Sequence, residues 1–135
     1  MMVKKIVLGA IAVFVAWEVL DFIIHGLILG PTYATLPGVF RSPADMNYVL
    51  MAVAALLGAV AFTASYGWFV GPKSVVTGVK FGLVWGFGAG VMMGYGSYSS
   101  MPIPYFMALI WFLGTWLEFV VAGALTGLIV KPAAA

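Results

Sequence analysis

The chain has 135 residues, 64% of them hydrophobic and 7% charged, against about a quarter charged in ordinary soluble domains; that excludes a water-exposed globule. Its formal net charge of +2 rests on six cations and four acids, too few for a nucleic-acid surface, and no aromatic and basic residues interleave into a strand-binding groove. The absence of cysteine excludes disulfides, thiolate zinc sites, iron–sulfur clusters and cysteine nucleophiles, leaving imidazole and oxygen chemistry.

A helical span needs about 20 mainly apolar residues, and turn residues divide the chain into four such stretches with no room for a separate soluble domain. The expected fold is all-α, a single four-helix transmembrane domain over residues 1–135, arranged as an up-down bundle. Its helices are expected at about 6–29, 48–70, 76–95 and 104–130. Lys4 and Lys5 before the run Ile6 to Trp17 imitate a secretory signal. No small-residue cleavage pattern follows, so this stretch reads as a retained first helix. It continues through Glu18, Asp21 and His25 and stops at Gly30-Pro31, where proline cannot continue the hydrogen-bond ladder.

The loop from Thr32 to Asn47 carries Pro37, Gly38, Arg41, Pro43 and Asp45, and Ser42 or Asp45 could cap a short interfacial helix there. The second helix has no charge and ends at Gly71-Pro72; its Tyr66, Trp68 and Phe69 suit a headgroup belt. The third helix places Gly78, Gly82, Gly86, Gly90 and Gly94 at every fourth position. That spacing keeps them on one stripe, a glycine zipper that lets another helix approach to backbone contact. A nucleotide-binding reading of Gly86, Gly88 and Gly90 lacks both a preceding strand and a phosphate-binding lysine. Pro102 and Pro104 introduce the fourth helix, where proline in the first turn removes no bond. Gly123 and Gly127 form a second small-residue pair near its end. A short alanine tail follows Lys131-Pro132.

Lysine and arginine beside short loops are retained in the cytoplasm. Lys4, Lys5, Lys73, Lys80 and Lys131 fall on one side of the expected topology and Arg41 alone on the other. Both termini are therefore expected inside, in a bacterial inner membrane.

A charge near the bilayer centre costs at least a few kcal/mol on insertion scales, so acids within the spans need a partner, a proton or water. At about 100° per residue, Glu18, Asp21 and His25 lie within roughly 60° of one another, on a face shared with Phe14, Phe22 and Leu29. Glu18 follows Lys5 and Glu118 precedes Lys131 by the same thirteen residues, so each lies about 20 Å from the cytoplasmic cation at 1.5 Å per residue. Were the first and last helices neighbours, Glu18, Asp21, His25 and Glu118 would converge as one site for a proton or a divalent cation, and two glutamates at one level would share a proton. Tyr95, Ser97, Tyr98 and Ser99 would join them around an outer vestibule.

Three readings of these residues stay open: hydrogen bonds that fix helix register, a proton or cation pathway, and a bound metal or haem. For a metal, Glu18, Asp21 and His25 supply two carboxylates and an imidazole, with Glu118 as a fourth ligand. The paired Glu-x-x-His of di-iron bundles is missing, and one histidine gives one axial haem ligand per chain. Met92, Met93, Met101 and Met107 read as lipid-facing or core residues before thioether ligands. His25 has no nucleophile near it in sequence, so no enzyme is expected.

The sequence Ala16-Trp17-Glu18-Val19 in the first helix and Trp85-Gly86-Phe87-Gly88-Ala89-Gly90 in the third is similar to the small multidrug resistance transporters. The likeness covers about a dozen residues. It implies a homodimer in which Glu18 exchanges protons for a cationic substrate inside an aromatic cage. The single expected orientation, the long first outer loop and the additional Asp21, His25 and Glu118 depart from that family. Trp17, Glu18, Asp21 and His25 together with Met101-Pro102-Ile103-Pro104 resemble small uncharacterised bacterial four-helix membrane proteins, a likeness that brings no activity with it. Two functions are expected from these patterns: proton- or cation-coupled transport or conduction by a homo-oligomer, or a non-catalytic accessory subunit in a larger membrane complex.

Overall fold

The computed structural model describes residues 1–132; the alanine tail lies outside the described residues. The chain is all-helical there, and four helices are long and apolar enough to cross a membrane: α1 (Met2–Ile28), α3 (Tyr48–Phe69), α4 (Val75–Ser100) and α5 (Tyr105–Ile129). Helices satisfy every backbone group internally, which apolar segments of this length require in lipid. A short α2 (Gly30–Ala34) follows α1 directly.

The first span begins earlier than the lysines suggest, because Lys4 and Lys5 form its first turns. Its last seven residues, Phe22–Ile28, wind as a π-helix, and the Leu29 N–H closes the segment on the Ile24 carbonyl at 2.9 Å. Pro31 then occupies the first turn of α2, where it needs no donor. Beyond α2, Leu36-Pro37-Gly38-Val39 makes a tight turn with Val39 N–H on the Leu36 carbonyl at 3.2 Å. Gly38 stands at φ +84°, the left-handed position that such a turn gives to glycine. In place of an interfacial helix, Pro43–Asp45 forms one 3-10 turn, with the Ser42 hydroxyl donating to Asp45 Oδ2 at 2.6 Å.

Asn47 caps α3 by accepting from Leu50 N–H at 3.0 Å, and Ser74 caps α4 by accepting from Thr77 N–H at 3.0 Å. Fully buried Tyr66 holds the connection between them, donating to the Ser74 carbonyl at 3.0 Å and accepting from Ser74 N–H at 3.1 Å. The third span runs on to Ser100, past the expected end at residue 95, through a second π segment at Met92–Gly96.

The most extensive helix contact joins α4 and α5. Gly78 lies against the Gly123 carbonyl and the Gly127 backbone, Gly82 against the Phe119 carbonyl and Gly94 against the Ala108 carbonyl. A methyl group on Gly86 would stand 2.5 Å from Phe119 Cβ and 3.0 Å from the Trp116 carbonyl oxygen, and one on Gly90 2.7 Å from the Phe112 carbonyl. The partner recedes along α5 as the glycine advances along α4. Backbone lies on backbone over the whole stripe, an approach at which dispersion and weak Cα–H···O contacts supply attraction that lipid-exposed Leu faces lack.

On its other side, α5 packs against α1, which packs in turn against α3. Ile24 fits against Gly114, Ile6 against Gly67, and Thr63 against Gly9. The Lys5 ammonium reaches the Lys131 carbonyl, tying the ends of α1 and α5 together. An aromatic group joins all four spans, with Phe62 of α3 5.0 Å from Phe81 of α4 and 5.4 Å from Phe119 of α5. Trp17 of α1 completes it at 5.3 Å from Phe119.

Candidate functional site

Trp17 sets the geometry of the α1–α5 seam. It is buried, and its indole N–H donates to the backbone carbonyl of Glu118 at 2.8 Å. That fixes the rotation of α1 and the level at which it meets α5. Asp21 stands one turn beyond Trp17, about 40° around the helix, and so remains in the seam. Glu18, about 100° around, is turned out and is exposed. The carboxyl that neighbours Glu118 across the seam is therefore Asp21.

The Glu118 side chain is largely enclosed, and its Oε1 is buried with no hydrogen-bond partner among the described residues. Asp21 is also an acceptor when ionised, so the two carboxyls bond only if something positive lies between them. A single proton is enough.

His25 lies one turn further along α1, with Nε2 3.7 Å from Asp21 Oδ1; the two side chains are 38% and 43% exposed. Its Nδ1 is 2.8 Å from the hydroxyl of Tyr33, which accepts from the Trp111 indole N–H at 2.7 Å. Every proton finds a partner when the Tyr33 O–H donates to Nδ1 and Nε2 carries the imidazole proton toward Asp21. At 3.7 Å that last step is longer than a hydrogen bond, a gap that one water or a small ring movement closes. The arrangement runs from Glu118 through Asp21 and His25 to Tyr33, with Trp111 behind it.

Tyr33 reaches this position because α2 continues α1 after the π segment, and Phe40 holds it there. The Phe40 ring meets Tyr33 edge-on at 4.9 Å and Trp111 edge-on at 5.9 Å, above the buried group of Ile24, Leu29, Met107 and Ala108. Burial pushes the Tyr33 hydroxyl above its ordinary pKa; the Trp111 hydrogen bond pulls it back and the neighbouring Asp21 charge adds to the rise. Tyr33 thus stays neutral and orients the imidazole.

Of the residues expected at the site, Asp21, His25 and Glu118 line the α1–α5 seam in sequence, and Glu18 projects outside it. Tyr95 and Tyr98 lie elsewhere. Tyr95 shares a hydrogen bond of 2.9 Å with Tyr105 and packs on Phe112, and Tyr98 meets Tyr105 edge-on, all at the α4–α5 contact. Among the described residues no three His, Asp or Glu side chains are grouped closely enough to hold a metal ion. Tyr33 and Trp111 are the participants that the sequence reading missed. The spacing of eight residues from His25 to Tyr33 across Gly30-Pro31 is the one signal that could have suggested the first. No family model, curated protein or solved structure matches the chain.

Proposed function

We propose that this is a four-helix membrane protein that takes up and passes a proton at the Asp21–Glu118 pair, in a proton-conducting or proton-coupled transport role and not as an enzyme. The reading takes the spans as an up-down bundle in a bacterial inner membrane with both termini inside, following the lysines at one end and Arg41 at the other. The observation that carries it is the buried, unpartnered Glu118 Oε1 on a side chain that has a second acid, Asp21, as its neighbour. Such a pair is a costly and unneeded device for helix packing, which the glycines already provide, whereas intramembrane Asp, Glu and His chains are the usual material of proton relays.

In this scheme Asp21 and Glu118 hold one proton between them. His25 exchanges it with water at the outer side, its Nε2–H aimed at Asp21 by the Tyr33 hydroxyl on Nδ1. Proton flux into vesicles containing the purified protein, driven by a potassium diffusion potential and read with an entrapped pH dye, tests this. Wild type should conduct, and Asp21→Asn and Glu118→Gln should fall to the level of empty vesicles. Absence of flux in wild type, or flux unchanged in both variants, overturns it. The accessory-subunit reading draws on a different observation, the outward position of Glu18.

A further inference from the structure

Glu18 makes no hydrogen bond and no ion pair among the described residues, yet it lies at the middle level of α1. Around it runs an uncovered seam. Leu8, Ile11, Val15 and Phe22 are 50%, 51%, 54% and 64% exposed, and with Glu18 they recur at steps of three, four, three and four along the helix. Alternating steps of three and four, an average of 3.5, trace the line along which one helix packs on another. A carboxylate at the centre of such a line costs a few kcal/mol against lipid. That cost is offset if the helix that covers the seam brings a cation.

We propose that this flank of α1 docks a transmembrane helix of another protein, one with a lysine or arginine side chain at the level of Glu18. Charge complementarity selects this occupant over a second copy. The chain's own cations are Lys4 and Lys5 in the first turns of α1, Lys73 and Lys131 beyond helix ends, Lys80 in the second turn of α4, and Arg41 in the outer loop. None stands at mid-depth. A two-fold pairing through the seam would set Glu18 against its own symmetry mate and leave two acids to neutralise. A helix with one central base both fills the apolar line and forms an ion pair out of water, where the attraction is strong.

A polyleucine transmembrane peptide with one central lysine serves as the probe, with all-leucine and central-glutamate peptides as controls. Binding is read by energy transfer in phosphatidylcholine vesicles from a dye on the protein at Gly71→Cys, an exposed position where an added Cβ meets nothing within 4 Å. The lysine peptide should bind at least about ten-fold more tightly than the all-leucine one. Glu18→Gln should abolish that preference and Glu18→Asp should keep it; because Glu18 touches no polar partner, both variants should fold. The inference is overturned by equal binding of the three peptides, by a lysine preference that survives Glu18→Gln, or by cross-linking of Val15→Cys between copies that the lysine peptide does not compete away.

Discussion

The Tyr33 hydroxyl stands between two side chains of opposite need, accepting from the Trp111 indole at 2.7 Å and facing His25 Nδ1 at 2.8 Å. One oxygen therefore links α2, α5 and the face of α1 that carries His25, and it decides which imidazole nitrogen carries the proton.

That link can be read by titration. Trp111→Phe removes a bond that favours the phenolate, so the Tyr33 pKa, already raised by burial, should move further up. The sign for stability follows: with the folded pKa above the unfolded one, the contribution of neutral Tyr33 is complete below pH about 10 and fades as pH rises through the folded value. Ultraviolet difference titration should show a late-ionising tyrosine component that is lost in Tyr33→Phe and moves later still in Trp111→Phe. A Tyr33 that ionises with the bulk tyrosines would remove it from this role. Tyr33→Phe should also slow proton flux without abolishing it, because His25 loses its orienting partner and keeps its proton.

On α4, Gly82 at the α5 contact and exposed Gly88 away from it make a matched pair. A methyl at Gly82 meets the Phe119 carbonyl, while one at Gly88 meets nothing within 4 Å. Gly82→Ala should therefore destabilise the protein in detergent by about 1–3 kcal/mol or more, the cost of forcing atoms into a packed contact. Gly88→Ala should change stability by less than about 1 kcal/mol, in the stabilising direction, since alanine is the better helix former. Gly86→Leu should prevent folding or separate the helices. Equal behaviour of Gly82→Ala and Gly88→Ala in thermal unfolding would show that the close approach is not made.

The spans were legible because a run of about 20 apolar residues leaves few alternatives, and the stripe from Gly78 to Gly94 was legible because its spacing is regular. The site was readable only where it is local. Asp21 and His25, four apart on one helix, declare themselves; Trp111 does not, since a tryptophan in an apolar helix carries no mark and its partner Tyr33 is 78 residues away. Glu18 shows the limit of the helical wheel. A sector of roughly 60° can be drawn from the sequence, but where its edge falls depended on Trp17 taking the interior position beside Glu118. The π segments left no sequence signature that we can identify.

The proposed orientation rests on the lysines and is open to labelling. In the proposed topology a cysteine at Ser42 faces outward and one at Gly71 inward; both positions are exposed. An impermeant thiol reagent should label Ser42→Cys in intact cells and Gly71→Cys only after lysis. The reverse pattern would place His25 toward the cytoplasm and invert the direction of the proposed relay.

The acid pair itself gives the sharpest expectation. Glu118 Oε1 is buried and without a donor, Asp21 is the neighbouring acid, and two ionised carboxylates do not hydrogen-bond. At neutral pH the pair should hold one proton, visible as the carbonyl stretch of one protonated carboxyl per chain in the infrared. The measurement belongs in a Glu18→Gln background, which leaves Asp21 and Glu118 as the only acids within the spans. Replacing Glu118 by glutamine should erase the band, because the amide N–H₂ then donates to Asp21 and the carboxylate needs no proton. Heavy water should shift the band before the replacement and find nothing to shift after it. A band absent from the starting protein would mean that the pair is held by a cation or by water, and a band that persists in Glu118→Gln would assign the proton to Asp21 alone; either result dissolves the coupled pair on which the proposed conduction rests.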